Sequence, residues 1–231
     1  ILIMSTGCDI KPEEVEGLAE GWGDDIHGFY RFGDCQELRK ALKQFTGGKL
    51  VVNIAEMPIK CPVAPLEFAF LADWHFHTRG IRDKVEIEFV TPLPGAFTKP
   101  IATKVLTLAM EEKDIKLTPD FSIGSVDHKK KVIEAYDGTS VDYDMLVSIP
   151  PNFGSDVMID SGIADPMGYI QVDKHTLQPE GRDNVWVLGD GTNVPTSKAG
   201  AVAHFQGDVL EENILAYING GEQHARSDGH A

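Results

Sequence analysis

Short apolar runs alternate with amphipathic stretches along the chain, and that alternation sets its fold class. Residues 1–4, "ILIM", are an apolar run ending at Ser5-Thr6-Gly7, the pattern of a buried strand followed by a turn. Residues 11–33 are rich in glycine and acids and read as a connection. Leu38, Ala41, Leu42 and Phe45 recur at helical spacing. Asp34 with Glu37 three residues on resembles a capping box, and Gly47-Gly48 stops that helix. A strand at 49–55 leads through a proline-rich turn into a helix over about 63–79. "VEIEFV", 85–90, alternates as a strand, and Pro100 opens a helix with Ile101, Val105 and Leu108 on one face.

The second half continues the alternation. Two alternating runs around Asp137-Gly138 predict a hairpin, followed by an apolar strand at 145–149 that ends at Pro150-Pro151. A short strand is expected near 169–172, and "NVWVLGD", 184–190, reads as a buried strand. A long helix follows, marked by Val202, Phe205, Val209, Leu210, Ile214 and Tyr217 and ended by Gly220-Gly221. Strands alternating with helices, with one inserted hairpin, imply an α/β fold on a mostly parallel sheet.

Charge and composition narrow the function. The 231 residues carry a net charge of -15, which repels phosphates and argues against a nucleic-acid surface. No apolar run reaches membrane-spanning length. The three cysteines are too few and too scattered for a disulfide framework or a zinc site, and no metal site is expected. His75 and His77, two apart on a helix, face different ways.

Two stretches could carry chemistry. In "PIKCPVAPLE", Cys61 occupies a strand–turn–helix junction where a dinucleotide-binding protein places glycines. The following helix favours a thiolate, and Pro62 and Pro65 stiffen the turn. A small buried hydrophobe is the alternative reading for Cys61, and it is the reading kept for Cys8 and Cys35. In "NVWVLGDGTNVPTSKAGAVAHF" a strand ends in Gly189-Asp190 and a helix soon begins. Asp190 can accept bonds from polyol hydroxyls, while the helix start and Lys198 would stabilise an anion. Asp190 and Thr196 serving merely as turn residues is the alternative.

"NVWVLGDGTNVPTSKAG" resembles the C-terminal flavin motif of the two-dinucleotide-binding-domain flavoproteins, most closely that of sulfide:quinone oxidoreductases. "STG" at 5–7 resembles a flavin-contacting turn of that superfamily, and "PIKCPVAPLE" the segment bearing one redox cysteine. The three matches keep the family's order and span most of the chain. The resemblance implies a Rossmann-like second dinucleotide-binding-type domain, 34–150, bearing the cysteine. Residues 1–33 and 151–231 would be a remnant and the C-terminal part of a discontinuous FAD-binding domain. It places Thr6, Gly7, Gly189, Asp190, Thr196, Lys198 and Ala199 near FAD, and makes Cys61 the flavin-proximal thiol. Glu67 matches an acid proposed to move protons. Phe153 and His204 are candidate quinone contacts.

The implied activity is oxidation of sulfide to polysulfide or sulfur, with electrons passing through FAD to a membrane quinone. The expected setting is peripheral attachment to a prokaryotic-type respiratory membrane, with homo-oligomers possible and no nicotinamide required. The family's glycine-rich unit would precede Ile1 and its second redox cysteine would follow Ala231. The chain alone is therefore expected to bind FAD poorly and to be inactive. Competing readings are a flavocytochrome c sulfide dehydrogenase subunit, a type II NADH:quinone dehydrogenase, and a non-catalytic truncated domain.

Overall fold

A computed structural model describes residues 1–229 of the chain. In chain order its strands are β1 (Leu2–Met4), β2 (Cys8–Ile10), β3 (Ile26–His27), β4 (Gly48–Ile54), β5 (Val85–Val90) and β6 (Ile115–Thr118). They continue as β7 (Ile123–Asp127), β8 (Val132–Ala135), β9 (Ser140–Asp142), β10 (Met145–Ile149), β11 (Asn152–Gly154) and β12 (Val185–Val187). The α-helices are α1 (Phe32–Gln44), α2 (Ala64–Thr78), α3 (Pro100–Glu112), α4 (Asp156–Asp160) and α5 (Gly200–Ile218). The chain divides into two compact units. One comprises residues 10–57 and 63–151; the other gathers 1–9, 58–62 and 152–231.

The first of these units is built on a parallel sheet of order β3-β10-β4-β5-β6. Strands β4, β5 and β6 follow one another across it, so right-handed crossovers put α2 and α3 on one face. β4 and β10 are buried on both faces and rich in Val, Ile and Leu, as a doubly covered parallel strand must be. The other face is covered by the antiparallel sheet β7-β8-β9, which packs Ile123, Val126, Ile133 and Val141 against Val51, Val90 and Leu146. The expected hairpin is β8–β9, with Gly138 at φ +86° in its turn. β7, interrupted by Gly124, has no clear alternation and escapes a reading of the sequence.

Two arginines hold the helix ends. Arg79 donates through Nη1 to the carbonyls of Leu42 (2.6 Å) and Phe45 (2.8 Å), and through Nη2 to that of Lys43 (3.1 Å). These are the otherwise unsatisfied groups at the carboxyl end of α1. Arg82 does the same for α3, donating to Lys113 O and Asp114 O at 2.8 Å each. Its Nε bonds the buried carboxylate of Asp73 at 2.7 Å, and Lys113 Nζ reaches the other oxygen at 3.2 Å.

Several expectations need correction. Asp34 does not cap α1, which begins at Phe32 behind Arg31; the Asp34 carboxylate instead accepts a bond from Trp22 Nε1 at 3.2 Å. Glu88, a charged position in the alternating strand 85–90, is fully buried, because Lys49 on β4 and Lys116 on β6 meet it at 2.8 and 3.0 Å. Ile101, Val105 and Leu108 face solvent, and the deeply buried residue of α3 is Met110.

The other unit pairs β1 in parallel with β12, Ile3 opposite Trp186, and pairs β2 with β11. Its core gathers Trp186, Leu177, Val194 and Leu210, with Tyr217 edge-on to Trp186 at 5.6 Å. Leu2 and Ile3 are exposed and only Met4 of β1 is buried, so the expected buried strand is half uncovered. No strand forms at 169–172; Ile170 makes one parallel bridge to Thr192 and the ladder stops where residues 189–191 coil into a 3-10 turn.

Burial alone raises the pKa of Asp73 and of Glu88, but bonds from Arg82 and Lys113, and from Lys49, Thr118 and Lys116, outweigh it and hold both carboxyls below their ordinary values. Their contribution to stability is complete above the unfolded carboxylate value of about 4 and is lost as pH falls through the lowered folded values. Asp73→Ala, which strands a buried guanidinium, should cost about 3 kcal/mol in urea unfolding at pH 7. Glu37→Ala, which breaks an exposed pair with Lys40, should cost less than about 0.5 kcal/mol.

Candidate functional site

Residues 58–62 belong with the carboxyl-terminal segment although the chain before and after them belongs elsewhere. They are held there by main-chain contacts. Lys60 bridges Lys198, and the Cys61 amide donates to the Lys198 carbonyl at 2.6 Å. Cys61 itself is exposed and lies at φ +48°, a left-handed conformation that costs a residue with a Cβ about 1 kcal/mol or more. The turn thus holds the thiol outward at the expense of local backbone strain.

Lys198 is the centre of the cluster. Only 8% of it is exposed, and its ammonium donates to the carbonyls of Asp190 (2.8 Å) and Thr192 (3.1 Å). It also sits 3.9 Å from the centroid of the Tyr169 ring, a cation–π contact. Tyr169 in turn donates its hydroxyl to the Asn152 carbonyl. Desolvation lowers the Lys198 pKa, opposed by the nearby Cys8, Asp190 and Asp165. The lysine therefore shapes the 189–192 turn from within.

Asp190 is half-buried, and burial raises its pKa against the pull of Lys198 and Lys60. Its carboxylate accepts no hydrogen bond from the described residues, which leaves it able to receive hydroxyl donors from a ligand. Gly189 lies at φ +75°, and a Cβ on Gly191 would meet the Gly7 backbone at 3.2 Å and Thr6 Oγ1 at 3.3 Å. The Ser-Thr-Gly turn and the Gly-Asp turn thus lie side by side at the carboxyl ends of the paired strands β1 and β12. α5 begins at Gly200 with Ala199 at its N-cap and no side-chain cap, so Thr196 and Lys198 precede the helix rather than open it. Amides of its first turn are available to an anion.

The structure therefore gathers Thr6, Gly7, Gly189, Asp190, Lys198, Ala199 and Cys61 in one unit. Glu67 belongs to the other unit, exposed on the first turn of α2. Phe153 is half-buried on β11, and His204 is exposed one turn into α5. Among the described residues no group of side chains could hold a metal ion.

Three residues given no role by the sequence complete the cluster. Asn152 Oδ1 accepts from the Lys60 amide at 3.0 Å and lies 3.9 Å from Cys8 Sγ, while Lys60 Nζ donates to Cys8 O at 3.0 Å. Burial pushes the Cys8 thiol up to about 11, with Asp190 adding to the shift. An inert, structural Cys8 agrees with that environment.

No protein-family model matches the chain. The mitochondrial sulfide:quinone oxidoreductase of Dictyostelium discoideum is 30% identical over 99% of the chain and 52% of the relative. The chain is homologous to the sulfide:quinone oxidoreductases. It spans about half the length of the curated relatives it matches. The sulfide:quinone oxidoreductase of the bacterium Aquifex aeolicus shares the fold at TM-score 0.80 and 19% identity, over 95% of this chain and 55% of that one. A chain in the Tetrahymena thermophila mitochondrial ATP synthase structure aligns at TM-score 0.76 and 21% identity, over 100% of this chain and 59% of that one. The parallel, Rossmann-like α/β architecture is shared with these solved structures. No helix among the described residues is long and apolar enough to cross a membrane.

Iodoacetamide at pH 8 should modify Cys35 and Cys61, both exposed, and spare Cys8, of which about one in a thousand would be thiolate at that pH. Peptide mass mapping reads the result. Cys8 should become reactive only on unfolding.

Proposed function

We propose that this chain supplies the redox-cysteine and cofactor-contacting part of a flavin-dependent oxidoreductase that oxidises sulfide and passes its electrons to a membrane quinone. The observation that carries the reading is Cys61, exposed on a strained turn and tied through its amide to Lys198 beside the Gly189-Asp190 turn. The homology to sulfide:quinone oxidoreductases supports the same chemistry. The division into a central Rossmann-type domain flanked by FAD-domain segments is part of the proposal.

The residues fit FAD. Asp190 offers an open carboxylate to ribityl hydroxyls, and the space beside Gly7, where a Cβ would meet nothing within 4 Å, is open to a flat ring. Bound FAD would supply a two-electron acceptor for sulfide and a donor to quinone. The first-turn amides of α5 would stabilise negative charge on such a ring, while Lys198 fixes the turn that carries Asp190. Cys61 would hold the sulfur being oxidised, Glu67 would move its proton, and Phe153 with His204 would contact the quinone. In overall balance, hydrosulfide gives up two electrons and a proton to become sulfane sulfur, and the quinone takes two electrons and two protons.

A second reading is a non-catalytic interaction domain; a chain in an ATP synthase structure shares the fold over 100% of this chain and 59% of its own length. Cys61→Ser separates the two. In the complete oxidoreductase it should lower sulfide-dependent quinone reduction by about a thousandfold or more, in line with loss of a covalent nucleophile. An unchanged rate would favour the non-catalytic reading. In the same complete protein Asp190→Ala should weaken FAD binding about tenfold, measured by quenching of flavin fluorescence, through loss of charge-assisted hydrogen bonds.

A further inference from the structure

A cavity of about 350 Å³ opens between α1 and α2. Leu38 and Leu42 of α1, Phe29 before it and His75 of α2 wall it, and the exposed Cys35, Arg39 and Lys43 line its mouth. Ring contacts fix the walls. Phe29 stacks on Phe68 of α2 at 5.1 Å, and His75 lies edge-on to the fully buried Phe76 at 5.4 Å. The Cys35 thiol donates to the Phe29 carbonyl, with Sγ 3.1 Å from the oxygen. The helix grades from apolar to cationic across this opening. At 3.6 residues per turn, Leu38, Leu42, Cys35, Arg39 and Lys43 follow one another round α1 within about 140°. Arg39 and Lys43 are one turn apart, with about 6 Å between their Cβ atoms, so both can reach one small anion. Neither has an acid three or four positions away in α1, and neither side chain pairs with a described residue. Two like charges at that spacing repel each other. In a chain of net charge -15 acids are plentiful, yet this pair is left open to a counter-ion from outside.

We infer that α1 and α2 hold a medium-chain fatty carboxylate, its alkyl tail in the cavity and its carboxylate on Arg39 and Lys43. The apolar walls supply the driving force, and the two cations select the charge. The guanidinium can meet both carboxylate oxygens through parallel N–H bonds. The cavity is at the small end of ligand sites, which suits a single chain of about ten carbons rather than a two-chain lipid. A ligand of that size with one charged contact should bind with Kd of the order of 100 μM. Every lining residue belongs to the unit of residues 10–57 and 63–151, so the site stands apart from the cofactor reading.

Cys35 reports occupancy, with Cys61 as the control in the same chain. Decanoate at about 1 mM should slow alkylation of Cys35 by the neutral reagent iodoacetamide about tenfold and leave Cys61 unchanged, read by peptide mass mapping. Octanoate, two methylenes shorter, should bind about tenfold more weakly. 1-Octanol, with the same chain length and no charge, should bind about tenfold more weakly again. Arg39→Gln with Lys43→Gln, two exposed changes, should keep the circular dichroism spectrum and bring octanoate down to the level of 1-octanol. No protection of Cys35, equal slowing of Cys35 and Cys61, 1-octanol matching octanoate on the unaltered chain, or a double variant that still prefers the carboxylate would each overturn the inference. So would protection by phosphatidylglycerol vesicles with none from free decanoate, which would assign the patch to a membrane surface.

Discussion

The site depends on a buried ammonium. Lys198 draws the carbonyls of Asp190 and Thr192 toward it, lies over Tyr169, and through its own carbonyl receives the Cys61 amide. Removing two oxygens and a cation from water is costly unless each meets a partner, and here they satisfy one another. That mutual satisfaction fixes the Gly-Asp turn from below and the cysteine turn from the side. The charge that a motif reading offers to a ligand is spent on shaping the loop, while the first-turn amides of α5 carry no side-chain cap.

Segment 58–62 explains the missing glycines. In a strand–turn–helix unit that binds a dinucleotide, the backbone after the strand must let a pyrophosphate approach closely. After β4 the chain leaves its own unit, packs residues 58–62 with the other one, and returns to start α2 at Ala64. The backbone that would have cradled a phosphate is engaged with Lys198. Ile59, fully buried, anchors the excursion.

Much of the fold was legible because it is local. β4, β5, β10, α2, α3 and α5 carry their own periodicity or boundary residues, and the structure places them within a few residues of where the pattern does. Failures came where distant residues decide. Glu88 alternates like a surface acid, yet neighbouring strands bring lysines to it. Asp34 has the right spacing for a cap, yet Trp22 claims it. At the site, Asp190, Lys198 and Cys61 sit in recognisable motifs. Asn152 and Tyr169 do not, because their roles arise only when separated segments meet, as Asn152 and Lys60 do across 92 residues.

Arg79 and Arg82 carry a further consequence. Each planar fork serves several carbonyls at the end of another helix, which a lysine's single nitrogen could not reproduce. α1 and α3 therefore cannot fray from their carboxyl ends without breaking bonds to the segment that follows α2. Local opening and sub-global opening become one event, and the amides of the three helices should exchange with solvent as a single cooperative block.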